Sequence, residues 1–328
     1  MANKAIIIGG GAVGVDFHLP RLFRWCAIDL ITVVEPAAAR RAELTRQFAG
    51  DTTVAIVATP PAADAWTVAV IASPPQFHPE GVERLCGRTA RLVIEKPLAR
   101  NLAGGEAIVA ALARTPTPAI VCHIRRTLGS FARVRDLRNA GTLGALRRVT
   151  AREGRVFAWN AQSMGSFSRT QNGGGVLADT GPHTLDLLLQ VFDELTLESA
   201  WMDADLGAGE RAVEANCRLA LCGDGVPVTL ELSRNRHLSN DVRFAFERGS
   251  VVAGVDDGSL TLDCGDFHLA GYAGADAAPL TYNDVFDAFY QRHVAGGDAR
   301  GVSPSDALRG LALIDRAYRD AVFAPTAF

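Results

Sequence analysis

The feature that most constrains this chain is a short apolar run that breaks directly into glycines. Residues 5–8 read Ala-Ile-Ile-Ile, and Gly9-Gly10-Gly11-Ala12-Val13-Gly14 follows at once. A GxGxxG pattern alone is weak, but placed between a strand and a helix it has a mechanism. Gly9 permits a tight turn, Gly11 lets backbone approach a pyrophosphate, and Gly14 lets the helix pack closely, with Ala12 and Val13 at the helix N-terminus where the phosphates rest. The next apolar run ends in Val33-Val34-Glu35, about 20 residues on, where a carboxylate accepts the ribose hydroxyls of an adenosine.

Glu35 also bears on cofactor choice, because its charge repels a 2′-phosphate. Pro36 and three alanines separate it from Arg40, so NAD is preferred over NADP, although Arg40 and Arg41 lie close enough along the chain to reach the site. Apolar runs recur at 30–34, 54–58, 68–72, 92–94 and 119–121, separated by stretches of helix length, which predicts βαβ units and a buried parallel sheet. The fourth run ends in Ala72-Ser73-Pro74, followed by His78. A strand end in such a sheet faces the dinucleotide crevice, so these residues are candidate cofactor contacts. Taken alone, His78 reads more readily as a structural histidine than as a catalyst.

The fifth run ends in Glu95-Lys96-Pro97. The chain has two lysines, Lys4 and Lys96, against 31 arginines. A compact ammonium that can sit against one reacting oxygen is not interchangeable with a planar guanidinium fork. Lys96 is thus a candidate for chemistry at the carboxyl edge of the sheet, on the side where the nicotinamide should lie, and Glu95 and Lys96 are both candidate cofactor contacts.

After residue 122 the pattern changes to longer, more alternating runs at 146–158, 217–221 with 226–232, and 242–246 with 250–255, joined by turns at 222–225 and 256–259. A length of 328 residues exceeds what one core usually supports. The expectation is an α/β protein of two domains: a Rossmann domain over 1–121, then an α/β domain over 122–328 with an open, mainly antiparallel sheet. Ser303-Pro304-Ser305-Asp306 marks the start of a last helix, over about 304–322. Residues 156–172 read as a loop.

In the second domain Gly173-Gly174-Gly175 leads into Asp179 and His183, four residues apart. On one helix face, with Asp179 orienting it and its pKa lowered at a helix N-terminus, His183 suits a general base at neutral pH; on spacing alone, such pairs are capping or core pairs more often. Pro182 either kinks that helix or starts it.

A net charge of −3 with scattered arginines gives no footprint for nucleic acid. No run is long enough for a signal-peptide core or a membrane span. The six cysteines show no CxxC pairing and suit free thiols in a reducing compartment, and the histidines show no metal-ligand spacing. A cytoplasmic protein with no metal is expected.

Together the glycine loop, Glu95-Lys96-Pro97 and the GGxxxDxGxH segment resemble the Gfo/Idh/MocA family of glucose-fructose oxidoreductase and inositol dehydrogenase relatives. His18-Leu19-Pro20, His123 to Arg126, Gly141 to Gly144, and Ala317-Tyr318 in the closing helix are similar to the family pattern too. The resemblance implies that the last helix packs back toward the first domain and that the open sheet serves as an interface in a homodimer or homotetramer. It further implies that Lys96, Asp179 and His183 form a catalytic group for NAD(P)-dependent hydride transfer on a secondary alcohol or ketone. A polyol substrate, sugar or cyclitol, is favoured, with Arg125, Glu153, Arg155 and Trp159 as candidate substrate contacts; the arginines equally suit a phosphorylated or nucleotide-linked sugar. An NAD-retaining glycosidase and a ligand-sensing regulator are the alternatives the family offers.

Overall fold

The computed structural model describes residues 3–62, 65–156, 169–203, 213–272 and 279–325. Six strands form a parallel sheet: β1 (Lys4–Ile8), β2 (Leu30–Val34), β3 (Val54–Val57), β4 (Val68–Ile71), β5 (Leu92–Ile94) and β6 (Ala119–Val121), in the order β3-β2-β1-β4-β5-β6. Each matches an apolar run of the sequence to within a residue, because a strand covered on both faces must be apolar throughout; β4 and β5 are buried at every position. The helices α1 (Leu19–Cys26), α2 (Ala38–Gln47), α3 (His78–Leu85) and α4 (Leu102–Arg114) make the crossovers. The strand order reverses between β1 and β4, and a crevice opens there beyond the strand ends.

Beyond β6 a short turn (Ile124–Leu128) and α5 (Ser130–Ala140) lead to β7 (Leu146–Gly154), then α6 (Arg169–Asn172), α7 (Val176–Asp179) and α8 (Gly181–Leu188). Seven strands follow: β8 (Leu195–Asp203), β9 (Asn216–Gly223), β10 (Val226–Ser233), β11 (Asp241–Phe246), β12 (Gly249–Gly254), β13 (Ser259–Cys264) and β14 (Phe267–Tyr272). The chain ends with α9 (Tyr282–Phe289), α10 (Pro304–Asp320) and β15 (Val322–Ala324). The second sheet runs β14-β13-β12-β11-β7-β10-β9-β8-β15. It is mainly antiparallel, with β7–β10 and β8–β15 parallel. Alternation on its central strands sends Val149, Ala151, Leu219, Leu221, Val228 and Leu230 into the core, as a sheet with one covered face requires.

The last helix begins as its sequence predicts, with a capping box between Ser303 and Asp306 and Pro304 in the first turn. It stops at Asp320, short of residue 322: Ala321 turns extended (ψ 140°) and Val322 joins the sheet edge beside Trp201. Along its length α10 lies on α4 so closely that a Cβ at Gly105 would meet Leu308 and Leu311 at 2.7 Å. No helix among the described residues is long and apolar enough to cross a membrane.

Candidate active site

The glycine loop has the shape its pattern demands. Gly9 sits at φ +110°, and a Cβ there would lie 2.6 Å from the Ala72 carbonyl oxygen; at Gly14 it would lie 2.4 Å from the Gly9 oxygen. Nothing lies within 4 Å of the same position on Gly11. Thus two glycines serve close packing, and the third faces open space where a phosphate can approach. The helix that follows, beginning with a π-helical turn over Val13–His18, has no side-chain cap, which leaves its amides to an anion. Beside Gly9, Ser73 carries a buried hydroxyl with no partner among the described residues. These features fit a dinucleotide.

Glu35 closes the other side. Its carboxylate accepts from the amides of Gly10 (3.1 Å) and Ala37 (2.8 Å), and a carboxylate so held keeps lone pairs for ribose hydroxyls. Arg40 donates to the Gly10 carbonyl and Arg41 to the carbonyls of Glu35 and Pro36. His78 differs from a cofactor contact: it is fully buried, with Nε2 2.8 Å from the Ser73 carbonyl and Nδ1 3.1 Å from that of Leu98. Burial pushes its pKa down against the pull of the two carbonyls, and the ring is a strut under the Ala72-Ser73-Pro74 turn. Glu95 also turns inward, to His18 (2.8 Å) and its neighbour's amide, Lys96 N (3.1 Å).

At the end of β5, Lys96 reaches across to the second sheet's helices. Its Nζ donates to the Asp179 carbonyl (3.0 Å) and carboxylate (3.1 Å). Burial raises the Asp179 carboxyl, but Lys96 and Arg234 more than offset this and hold it below the usual range. Asp179 ends α7, and Pro182 opens the separate helix α8. The carboxylate therefore faces Lys96; it does not orient His183, as the four-residue spacing suggested. His183 is half-buried, and its Nδ1 has no hydrogen-bond partner among the described residues. Burial first, then the charges of Arg125 and Lys96, keep its pKa well below that of an ordinary histidine. The result is an ammonium and an imidazole of depressed pKa close enough for the charge of one to act on the other.

Two scaffolds hold this pair. Arg125 makes a bidentate contact with Glu153 (2.8 and 2.7 Å), which also accepts from Thr184 (2.6 Å), tying β7 to the residue after His183. Arg125 and Glu153 are thus paired with each other, and Arg155, beyond the end of β7 and exposed, is paired with Asp256. Trp159 lies outside the described residues. The second scaffold escaped sequence reasoning. Buried Glu214 accepts from the amides of Gly175 and Leu177 and from the Tyr318 hydroxyl (2.6 Å), and so caps α7 from below. Its carboxyl is raised by burial, against the pull of Tyr318. The three glycines were the one available signal: a Cβ on Gly173 would meet the Arg100 oxygen at 2.4 Å, on Gly174 the Tyr318 hydroxyl at 1.9 Å, and on Gly175 the Glu214 oxygen at 2.0 Å.

Comparison with known proteins gives this geometry a family. Residues 3–123 match the oxidoreductase family with an NAD-binding Rossmann fold, and residues 131–252 match the GFO/IDH/MocA C-terminal domain. The chain belongs to the Gfo/Idh/MocA oxidoreductases. No curated protein matches it. Among solved structures, a levoglucosan dehydrogenase in complex with NADH and levoglucosan is similar over 98% of this chain and 97% of its own, at 17% identity and a TM-score of 0.80. A 3-ketoreductase from Actinomadura kijaniata, bound to NADP and TDP-benzene, is similar over 99% and 100%, at 17% identity and a TM-score of 0.79. An aldose-aldose oxidoreductase from Caulobacter crescentus with glycerol covers 98% and 97%, at 19% identity and a TM-score of 0.76. Such identities speak for the fold, and this Gfo/Idh/MocA chain must be read at its own residues.

Proposed function

We propose that this oxidoreductase transfers hydride between nicotinamide and a secondary alcohol or ketone of an uncharged sugar or cyclitol. One observation carries the reading: Lys96 spends two of its three donors on Asp179, leaving the third for a substrate oxygen beside the neutral His183. When bound, nicotinamide supplies the hydride acceptor. In oxidation, His183 takes the hydroxyl proton, Lys96 hydrogen-bonds the same oxygen as charge develops on it, and Asp179 holds Lys96 in place. The reverse sequence reduces a ketone. Arg125 and Arg155 are already paired with carboxylates, which favours an uncharged polyol over a sugar phosphate. With cofactor present, a cyclitol or free sugar is expected to outpace its phosphate ester by about tenfold or more, the effect of roughly 1.4 kcal/mol; faster turnover of the esters would reverse the assignment.

Because the His183 pKa lies well below the ordinary 6.5, the base form persists into acid. The kcat/KM for oxidation is expected to hold on descending through pH 6.5 and to fall only below it, since protonation removes the base. A limb at or above the ordinary histidine value would contradict this. NAD is the preferred cofactor: Glu35 meets the 2′ position, and the nearby guanidiniums of Arg40 and Arg41 are engaged by main-chain carbonyls. Dissociation constants for the two dinucleotides, read by fluorescence titration, test this, and tighter NADP binding would refute it. We further propose a cytoplasmic homodimer or homotetramer joined through the open nine-stranded sheet; a monomeric sedimentation mass would refute the assembly.

A further inference from the structure

The residue His18 follows the glycine loop, is buried completely, and has no part in the chemistry described above. Its ring bridges the two halves of the molecule. Nδ1 lies 2.6 Å from the hydroxyl of Tyr290, in a π-helical turn (Tyr290–Ala295) that follows α9, and Nε2 lies 2.8 Å from Glu95 Oε1. Both His18 and Tyr290 are 0% exposed. The ring of Phe286 packs edge-on against His18 at 5.2 Å, fixing its plane. The ionised Glu95 carboxylate can only accept, so Nε2–H donates to it, while Nδ1 and the Tyr290 hydroxyl share the second hydrogen bond. The other Glu95 oxygen accepts from the Lys96 amide at 3.1 Å. Lys96 is therefore held at both ends, its ammonium by Asp179 and its main chain by Glu95.

We propose that His18 is a positioning residue for hydride transfer, acting with Tyr290 through Glu95 to fix the main chain of Lys96. The proposal rests on the assignment of Lys96 to the reaction. It gives the chain from Tyr282 onward, which lies far from the glycine loop in sequence, a hand in the geometry of the ammonium. A carboxylate that loses its closest side-chain donor in so buried a place rotates, draws in water or takes a proton. Rotation takes Oε2 away from the Lys96 amide, and a proton taken up by the carboxyl weakens it as an acceptor of that bond. Loss of the imidazole thus displaces the ammonium with no change in any group that touches the dinucleotide.

The scarcity of lysine supplies the test. With nitrogen-15 introduced only as lysine, the spectrum holds two main-chain amides, Lys4 and Lys96, and Lys96→Met assigns them. His18→Leu is expected to move the Lys96 amide proton upfield, as a bond to a carboxylate is lost, while Lys4 stays. His18→Gln, whose carboxamide can donate where Nε2–H does, is expected to restore the Lys96 signal. Turnover follows the signal: His18→Leu lowers kcat by about tenfold with KM for NAD within about twofold of wild type, and Gln recovers most of the loss. If His18→Leu does not fold, Tyr290→Phe, which removes a single hydroxyl, is expected to shift the Lys96 amide in the same direction by less. An unmoved Lys96 amide in a folded variant overturns the proposal, as does a kcat equal to wild type. Full turnover in Lys96→Met would instead overturn the role of Lys96, and the amide result would stand apart from it.

Discussion

Lys96→Met leaves NAD affinity within a few-fold of wild type and lowers turnover by about 10²–10³, the range seen when a single electrostatic stabiliser of developing charge is lost. The two effects separate because Lys96 Nζ is directed at Asp179, whereas the proposed contacts of the dinucleotide are Gly11 and Glu35. Methionine keeps the length and apolar stem of the side chain and removes the charge and three donors. Lys96→Arg is expected to recover little, since a planar fork cannot occupy the place of an ammonium between two oxygens of one residue. Calorimetric titration with NAD and steady-state turnover on the same preparations check both halves. Unchanged turnover would remove Lys96 from the reaction.

Gly175→Ala is the second large expected effect. The new methyl would lie 2.0 Å from the Glu214 carbonyl oxygen and 2.8 Å from its nitrogen, and backbone on both sides leaves no flexible side chain to yield. Either α7 lifts off β9 or the Glu214 segment retreats, and each breaks the carboxylate cap beneath Asp179. A stability loss of about 1–3 kcal/mol is expected from overpacking, with a fall in turnover of the molecules that remain folded, because Asp179 no longer meets Lys96. Gly271→Ala, where nothing lies within 4 Å, is the neutral control. Urea unfolding midpoints and turnover per folded molecule decide the matter; a midpoint and rate equal to wild type would show that the cap has slack.

The first sheet was legible because its central strands are covered on both faces, so β4, β5 and β6 stand out as unbroken apolar runs. The second sheet was legible only in its centre. The outer strand β14 is exposed along most of its length and β13 alternates only over Leu260, Leu262 and Cys264, none of them fully buried, while β15 is three residues long, too few to show a period, and its first residue, Val322, read as the end of the last helix. The candidate site divides the same way. Lys96 and the glycine loop are local signals, readable from a tripeptide and a hexapeptide. The partner of Asp179 is not local: Lys96 lies 83 residues earlier, and the spacing to His183 suggested a different pairing. Glu214 and Tyr318 meet across 104 residues, and the sequence recorded that meeting only as glycines that leave room for it.

The central claim is that Lys96 and His183 serve a hydride transfer to which the protein's polyol substrate contributes a secondary alcohol. The most direct measurement is nicotinamide absorbance as NAD is titrated into the protein with a panel of cyclitols and free sugars. One equivalent of NADH for each equivalent of polyol oxidised, abolished in Lys96→Met, is the predicted result. Cleavage of a glycoside without net NADH, or NAD bound tightly with no polyol oxidised and no ketone reduced, would contradict it.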